Sequence, residues 1–441
     1  MNKVIIRDLT EISPFKEPAR DLRVMNKPLW LYHRDILSPY CKKEFETSSL
    51  RSAAYAPEEI KSGEVVVYRD NLFFDQYLFK EFISLARKSG KPVQIAFSVD
   101  DKAIVTHALP LADGIRLAGE VYVADMFYYP DGHQIGQIEP QPIVVDTQPQ
   151  EIGYYRVPTY MANERGELVY QVPLRAFLSI ENWVHIFIAN CPFGMFSYGA
   201  RIENSLDMDK LFMLKVLWRS LLERKQFLSS SALVIVGHNT QIDPAAIIQG
   251  PTIIGNNVTI GPGVVINASY IGNNVNVMQG AQLMVSVVGD GCYVPFRAAL
   301  FLTTLMENSM VAQNTCLQAC IVGRDTFIGA GNTFTDFNLL AKDIKVMHKG
   351  ELRSVRLPVL GSCVGHNCRI GSGHIIYPAR TIDSDVVLAA KAERTIISKN
   401  VSYEESDHLK HPGSNHKPKY HDNYLLLDDA IAAEKLKEQT H

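Results

Sequence analysis

The stretch Ile254-Gly255-Asn256-Asn257-Val258-Thr259-Ile260-Gly261-Pro262-Gly263-Val264-Val265-Ile266 carries an aliphatic residue at every sixth position. Steps of six, six and five extend the series through Ile271, Val277, Leu283, Val288, Val294, Leu300, Leu305, Val311, Leu317, Val322, Ile328 and Phe334, with no polar member. Ile242 and Ile248 keep step before it, and Val364, Ile370, Ile376, Ile382 and Leu388 resume the six-residue step after an interruption. A 3.6-residue helical period cannot hold an apolar residue at every sixth position, whereas a three-faced parallel β-coil can, with coils stacked at about 4.8 Å. Gly255-Asn256-Asn257 and Gly272-Asn273-Asn274 fall where such a coil turns its corners, and glycine and asparagine tolerate the positive φ that tight corners require.

These residues resemble the hexapeptide repeat of left-handed β-helix proteins, most of which are acyltransferases or sugar nucleotidyltransferases with a β-helical tail. A spacer or trimerisation column is the other reading of the same repeat. The 441 residues exceed one ordinary domain, and the reading divides them into 1–228, an α/β domain with a linker helix; 229–400, the β-helix; and 401–441, a polar tail. With 46% hydrophobic and 21% charged residues and a formal net charge of −3, the chain lacks a nucleic-acid footprint. No apolar run approaches the ~20 residues of a membrane span. Seven cysteines at irregular spacing point to reduced thiols and a cytoplasmic setting rather than a disulfide framework.

Before the coil, strands alternate with helices. Val4–Ile6, Glu64–Leu72, Pro92–Val99 and Val121–Tyr129 read as strands, and Leu78–Ser89 as an amphipathic helix. Asp70, at the carboxyl end of a buried-type strand, stands where open α/β sheets bind ligands, and equally where an aspartate caps a turn. Val65 to Asp75 resembles the segment of sugar-1-phosphate nucleotidyltransferases whose Gly-Asp pair holds catalytic magnesium, although Arg69 stands in place of the glycine. Lys27-Pro28-Leu29 matches the end of that family's phosphate loop; its Gly-x-Gly-Thr-Arg is absent, with Arg7-Asp8-Leu9-Thr10 near its place. Glu17-Pro18-Ala19-Arg20-Asp21-Leu22-Arg23-Val24 is similar to the Arg-Pro-x-x-Asp-Leu-Arg-Val of divergent uridylyltransferases, with Glu17 for the first arginine. The resemblance implies Mg2+ on Asp70, with Lys27 catalytic and Arg20 and Arg23 neutralising substrate phosphates. As bare residues, the three cations are equally a solvated or ion-paired surface.

Ile180–Asn190 reads as a core helix with a tryptophan, and Leu211–Phe227 as the linker helix. The interruption Thr335–Ser362 is basic, with Lys342, Lys345, His348, Lys349, Arg353 and Arg356. Gly329–Thr335, Asn338-Leu339 and Leu360–Gly365 resemble the acetyltransferase region of bifunctional sugar-1-phosphate nucleotidyltransferase/acetyltransferases, which implies substrate binding by Asn338, Lys345 and Lys349. Gln313 and Cys316 occupy the places of that family's histidine base and tyrosine, which makes acetyl-coenzyme A a doubtful donor for its mechanism. The tail holds His408, His411, His416 and His421 and a helical pattern from Tyr424 to Lys437.

The expected fold is therefore an α/β nucleotidyltransferase-like (Rossmann-like) domain followed by a left-handed parallel β-helix, assembled as a homotrimer. The leading expectation for function is nucleotidyl transfer to a sugar-1-phosphate, forming or binding a nucleotide sugar such as UDP-N-acetylglucosamine. An acyltransferase acting on a sugar phosphate at the β-helix is one alternative, and a catalytically inactive nucleotide-sugar-binding or scaffold protein is the other. Nucleotides and sugar phosphates are the expected partners, not nucleic acid or membrane.

Overall fold

A computed structural model describes residues 1–155, 168–339 and 343–420. The chain forms two compact units, Met1–Thr10 with Pro18–Phe193 and Glu11–Glu17 with Gly194 onward.

The first unit is built on an open sheet of β1 (Asn2–Ile6), β2 (Glu44–Thr47), β3 (Val65–Arg69), β4 (Val93–Ser98), β5 (Ile115–Ala118), β6 (Val121–Tyr129) and β7 (Gln141–Val144). Its order is β7-β4-β6-β3-β1-β2, with β5 against β6. β1 runs parallel to β2 and β3, as does β7 to β4. β6 is antiparallel to β3, β4 and β5, so the sheet is mixed. Val65, Val67, Phe127 and Tyr129 pack with Val4, Ile6 and Ile60 beneath one face. The helix α1 (Gln76–Ser89) starts where the Asp75 side chain accepts the Leu78 amide at 2.8 Å and stops at Gly90, φ 63°. It buries Leu78, Phe79, Phe82, Ile83 and Ala86, the helical spacing visible in sequence. α2 (Trp183–Asn190) is buried all round, as its nearly unbroken apolar sequence requires.

In the second unit the chain winds into three parallel sheets of eight strands each, the triangular coil that fits a left-handed β-helix. Ile254 lies in register with Ile271, Ile260 with Val277 and Ile266 with Leu283, so the seventeen-residue period is the coil length. Every aliphatic of the series from Ile254 to Phe334 is in one buried core. At the two quoted corners the positive φ falls on Asn257 (55°) and Asn274 (56°), as expected of asparagine, and elsewhere in the coil glycines such as Gly263 (66°) and Gly280 (69°) take it. Gly255 is required instead by close approach, since a Cβ there would lie 2.6 Å from the Gly272 carbonyl oxygen. Asparagines also tie coil to coil, the Asn256 amide donating to Asn273 Oδ1 at 2.9 Å and Asn257 Nδ2 to Asn274 Oδ1 at 3.1 Å.

The interruption leaves the register intact, because Val322 pairs with Val364, Ile328 with Ile370 and Phe334 with Ile376. Inside it, Lys345–His348 and Glu351–Ser354 form a hairpin. The Leu360 amide donates to the Asp336 carbonyl at 2.8 Å and closes its root.

The linker helix expected at 211–227 is α4 (Lys210–Glu223), shorter at its carboxyl end, and a further helix that the sequence reading did not place, α3 (Ser197–Met208), precedes it. Asp209 separates them, its carboxylate accepting the Leu211 and Phe212 amides at 2.9 and 3.1 Å. Arg224, at φ 52°, ends the second. Among the described residues no helix is long and apolar enough to cross a membrane. His421 and the pattern Tyr424–Lys437 lie outside the described residues.

Candidate functional sites

At the carboxyl ends of β1, β2 and β3 the first unit gathers charge. Asp70 is 2% exposed. Its Oδ1 accepts the Asp8 amide at 2.7 Å, and its Oδ2 lies 3.1 Å from Arg20 Nη1. Arg20 also reaches Glu46 at 3.4 Å, where Arg7 approaches at 3.6 Å. Because β6 runs antiparallel beside β3, Asp125 comes up next to Arg69, which binds it through Nε at 3.0 Å and Nη2 at 2.9 Å. Arg116 takes the other oxygen of Asp125 at 2.8 Å, and Arg69 Nη1 lies 3.7 Å from Asp8. Burial pushes the Asp70 carboxyl up to about 6, with the Asp8 amide and the Arg20 charge pulling the other way.

The structure thus brings Asp70 and Arg20 together. Lys27 and Arg23 share a small hairpin, where Val24 pairs with Lys27. Asn190 holds that hairpin by accepting the Met25 amide at 2.7 Å and donating to the Arg23 carbonyl at 3.1 Å. Lys27 pairs with Asp35 at 2.6 Å, Arg23 donates to the Asp21 carbonyl at 2.7 Å, and among the described residues no ion pair joins either to Asp70. The expected magnesium does not fit this donor set. Both Asp70 oxygens are engaged, Asp125 is held between two arginines, and among the described residues no three acidic, histidine or cysteine side chains form a metal-binding group.

In the second unit the residues expected to bind substrate at the insertion are spread out. Lys345 opens the hairpin opposite Ser354, and Lys349 sits at its tip, φ 48°, beside Gly350. Asn338 lies nearer the root. Lys342 is outside the described residues. Cys316 faces outward on the third sheet, in register with Ala299 and Thr333. Burial and the Asp336 charge push its thiol up, so it is not a ready thiolate.

Asp336 itself went unnoticed in the sequence. Two residues from Asn338, it is a half-buried carboxyl whose pKa is raised by burial. Among the described residues no cation is paired with it. Nothing in its local pattern marks it, because its neighbours come from elsewhere in the chain: Leu360 at the far end of the insertion, and Cys316 and Cys320, which feel its charge.

A second group missed in the sequence is Glu17, Arg324 and His366. His366, 0% exposed, accepts the Arg324 amide at 2.9 Å on Nδ1, so Nε2 carries the proton and donates to Glu17 Oε1 at 3.2 Å. The Arg324 guanidinium pairs with the other Glu17 oxygen and lies 5.2 Å from the Tyr420 ring centre. Burial alone would raise the Glu17 carboxyl, but His366 and Arg324 outweigh it and hold it below its usual value. Ser384 Oγ donates to the Pro14 carbonyl at 3.0 Å, so the group fastens Glu11–Glu17 onto the coil.

Residues 234–268 match the family model for bacterial transferase hexapeptide (six repeats). No curated protein matches the sequence. A mutant GDP-perosamine N-acetyltransferase from Caulobacter crescentus, solved with coenzyme A and GDP-perosamine, is similar at 15% identity over 37% of this chain and 50% of that chain, with a TM-score of 0.16. PerB from the same organism, solved with the same two compounds, gives the same identity of 15%, coverage of 37% and 50%, and TM-score of 0.16. The similarity spans half the length of these solved chains.

Proposed function

We propose that the protein is a hexapeptide-type transferase that moves an acyl group to a sugar phosphate or nucleotide-linked sugar at the root of the β-helix insertion. The observation that carries this reading is Asp336, a half-buried carboxyl without a cationic partner among the described residues, held on a coil whose first turns match the transferase repeat. Asp336 takes the proton of the acceptor amine or hydroxyl as that nitrogen or oxygen bonds to the acyl carbon. The thioester C–S bond breaks, and the thiolate leaves as the carrier thiol once protonated. Lys345, Lys349 and Asn338 would hold the phosphates of donor or acceptor. Neither Gln313 nor Cys316 is given a proton-transfer role.

The test is thiol release from acetyl-coenzyme A with a panel of amino-sugar phosphates and nucleotide-linked amino sugars. Asp336→Asn should lower kcat by about 10²–10⁴-fold with the acceptor KM little changed. If no acceptor releases thiol, or if Asp336→Asn is as fast as the parent, the reading fails.

A second reading, nucleotide-sugar binding in the α/β unit, draws on Arg69, Arg116 and Arg20 at the sheet's carboxyl edge, with Lys27 and Arg23 as further phosphate contacts. Thermal shift with nucleotide sugars and triphosphates, with and without Mg2+, tests it. Here Arg69→Gln should abolish the shift, and an unchanged shift would discard the assignment.

A further inference from the structure

α4 turns most of its apolar side chains away from its own unit. Its buried face is Val216 and Ser220. Leu211 (79% exposed), Leu214 (60%), Trp218 (60%), Leu221 (70%) and Leu222 (65%) lie on the opposite side, with Leu217 at the margin (45%). The spacing 211, 214, 218, 221 alternates three and four residues, the seam along which two helices pack. A solvent-facing helix surface has charged residues there, and a monomer's largest apolar patch is usually a few hundred Å². From side-chain sizes, burying these six would remove roughly 600–700 Å² per copy, so a pair reaches roughly 1,200 Å², the threshold of a specific interface.

The charges around the stripe say which way a partner lies. Glu203, Asp207 and Asp209 cluster before or at the amino end of α4, and Arg219, Arg224 and Lys225 at its carboxyl end. Lys210 and Lys215 border the stripe and Glu223 closes it. An antiparallel second copy sets Asp207 and Asp209 of one chain against Arg224 and Lys225 of the other, twice by symmetry, and opposes the two helix dipoles. A parallel copy would set like charge against like.

We infer that α4 is a two-fold self-association surface, pairing antiparallel with α4 of a second copy about an axis near Leu217–Trp218. This contact uses no coil flank, so it is distinct from side-by-side packing of β-helices, and it gives an even number of chains.

Sedimentation equilibrium of the full chain at micromolar concentration should give an even number of subunits. Leu214→Glu with Trp218→Glu should halve the mass while circular dichroism still reports a folded chain, because neither side chain packs in the core of its own subunit. Cysteine cross-linking supplies an independent readout. Leu214→Cys with Leu221→Cys should oxidise to a covalent dimer, and Leu211→Cys alone should not. A monomer, an odd-numbered assembly, an unchanged mass for the glutamate variant, or cross-linking through Leu211→Cys would each overturn the inference.

Discussion

With both oxygens engaged and 2% of its surface exposed, Asp70 ionises against its burial, and its folded-state pKa of about 6 lies above the ordinary 3.8. Between those values the folded protein keeps a proton that the unfolded chain has lost, so this group weakens the fold as pH rises through the window. Relative to Asp70→Asn, the parent should lose up to about 3 kcal/mol between pH 4 and pH 7 and nothing further above it, as read by urea unfolding. Equal pH profiles would refute the assignment. Glu17 has the opposite sign: its lowered pKa supplies stability above the ordinary 4.5 that is lost as pH falls through the folded value. Glu17→Gln leaves Arg324 buried without its countercharge and should cost about 3 kcal/mol at pH 7. Asp70 stood out in sequence because it ends a recognisable strand. Glu17 did not, because Arg324 and His366 lie 307 and 349 residues away, beyond the reach of any local pattern.

The elements divide along the same line. The coil was legible down to single residues, because each inward aliphatic is dictated by the same steric demand repeated every turn. The extent of β6 was also legible, and the place of β3, which stops at Arg69 short of the expected Leu72; the antiparallel direction of β6 was not, since apolar patterning is the same either way. The start of α4 was legible in the apolar spacing from Leu211 onward, and Asp209 caps it through one carboxylate; its stop was not, because Arg224 ends it in a left-handed conformation that no glycine announces. Gly255 and Asn257 allow a sharp test of what the corners need. Gly255→Ala must displace the Gly272 backbone and should lower the melting temperature by several degrees. Asn257→Gly, at φ 55°, relieves a strained conformation and should stay within about 0.5 kcal/mol.

At the scale of the whole molecule, two cores with separate compositions imply two cooperative transitions rather than one. Calorimetry should resolve them, and Leu317→Ala, in the buried coil core, should lower only one, by about 2–5 kcal/mol of unit stability. A single transition shifted as a whole would show that the units unfold together. Function was less legible than fold at this scale because chemistry depends on which side chains meet. Arg69 and Asp125 meet only through the sheet's mixed order, and Asp336 is set apart only by the closure of the insertion. That closure has a consequence of its own. Since Val322 pairs with Val364 as though nothing lay between them, and the Leu360 amide and the Asp336 carbonyl close the root, the register of the coil does not depend on the length of the segment. Segments of other lengths and charges could be grafted into this socket and re-aim the protein at a different ligand, while the column that carries them keeps its own stability.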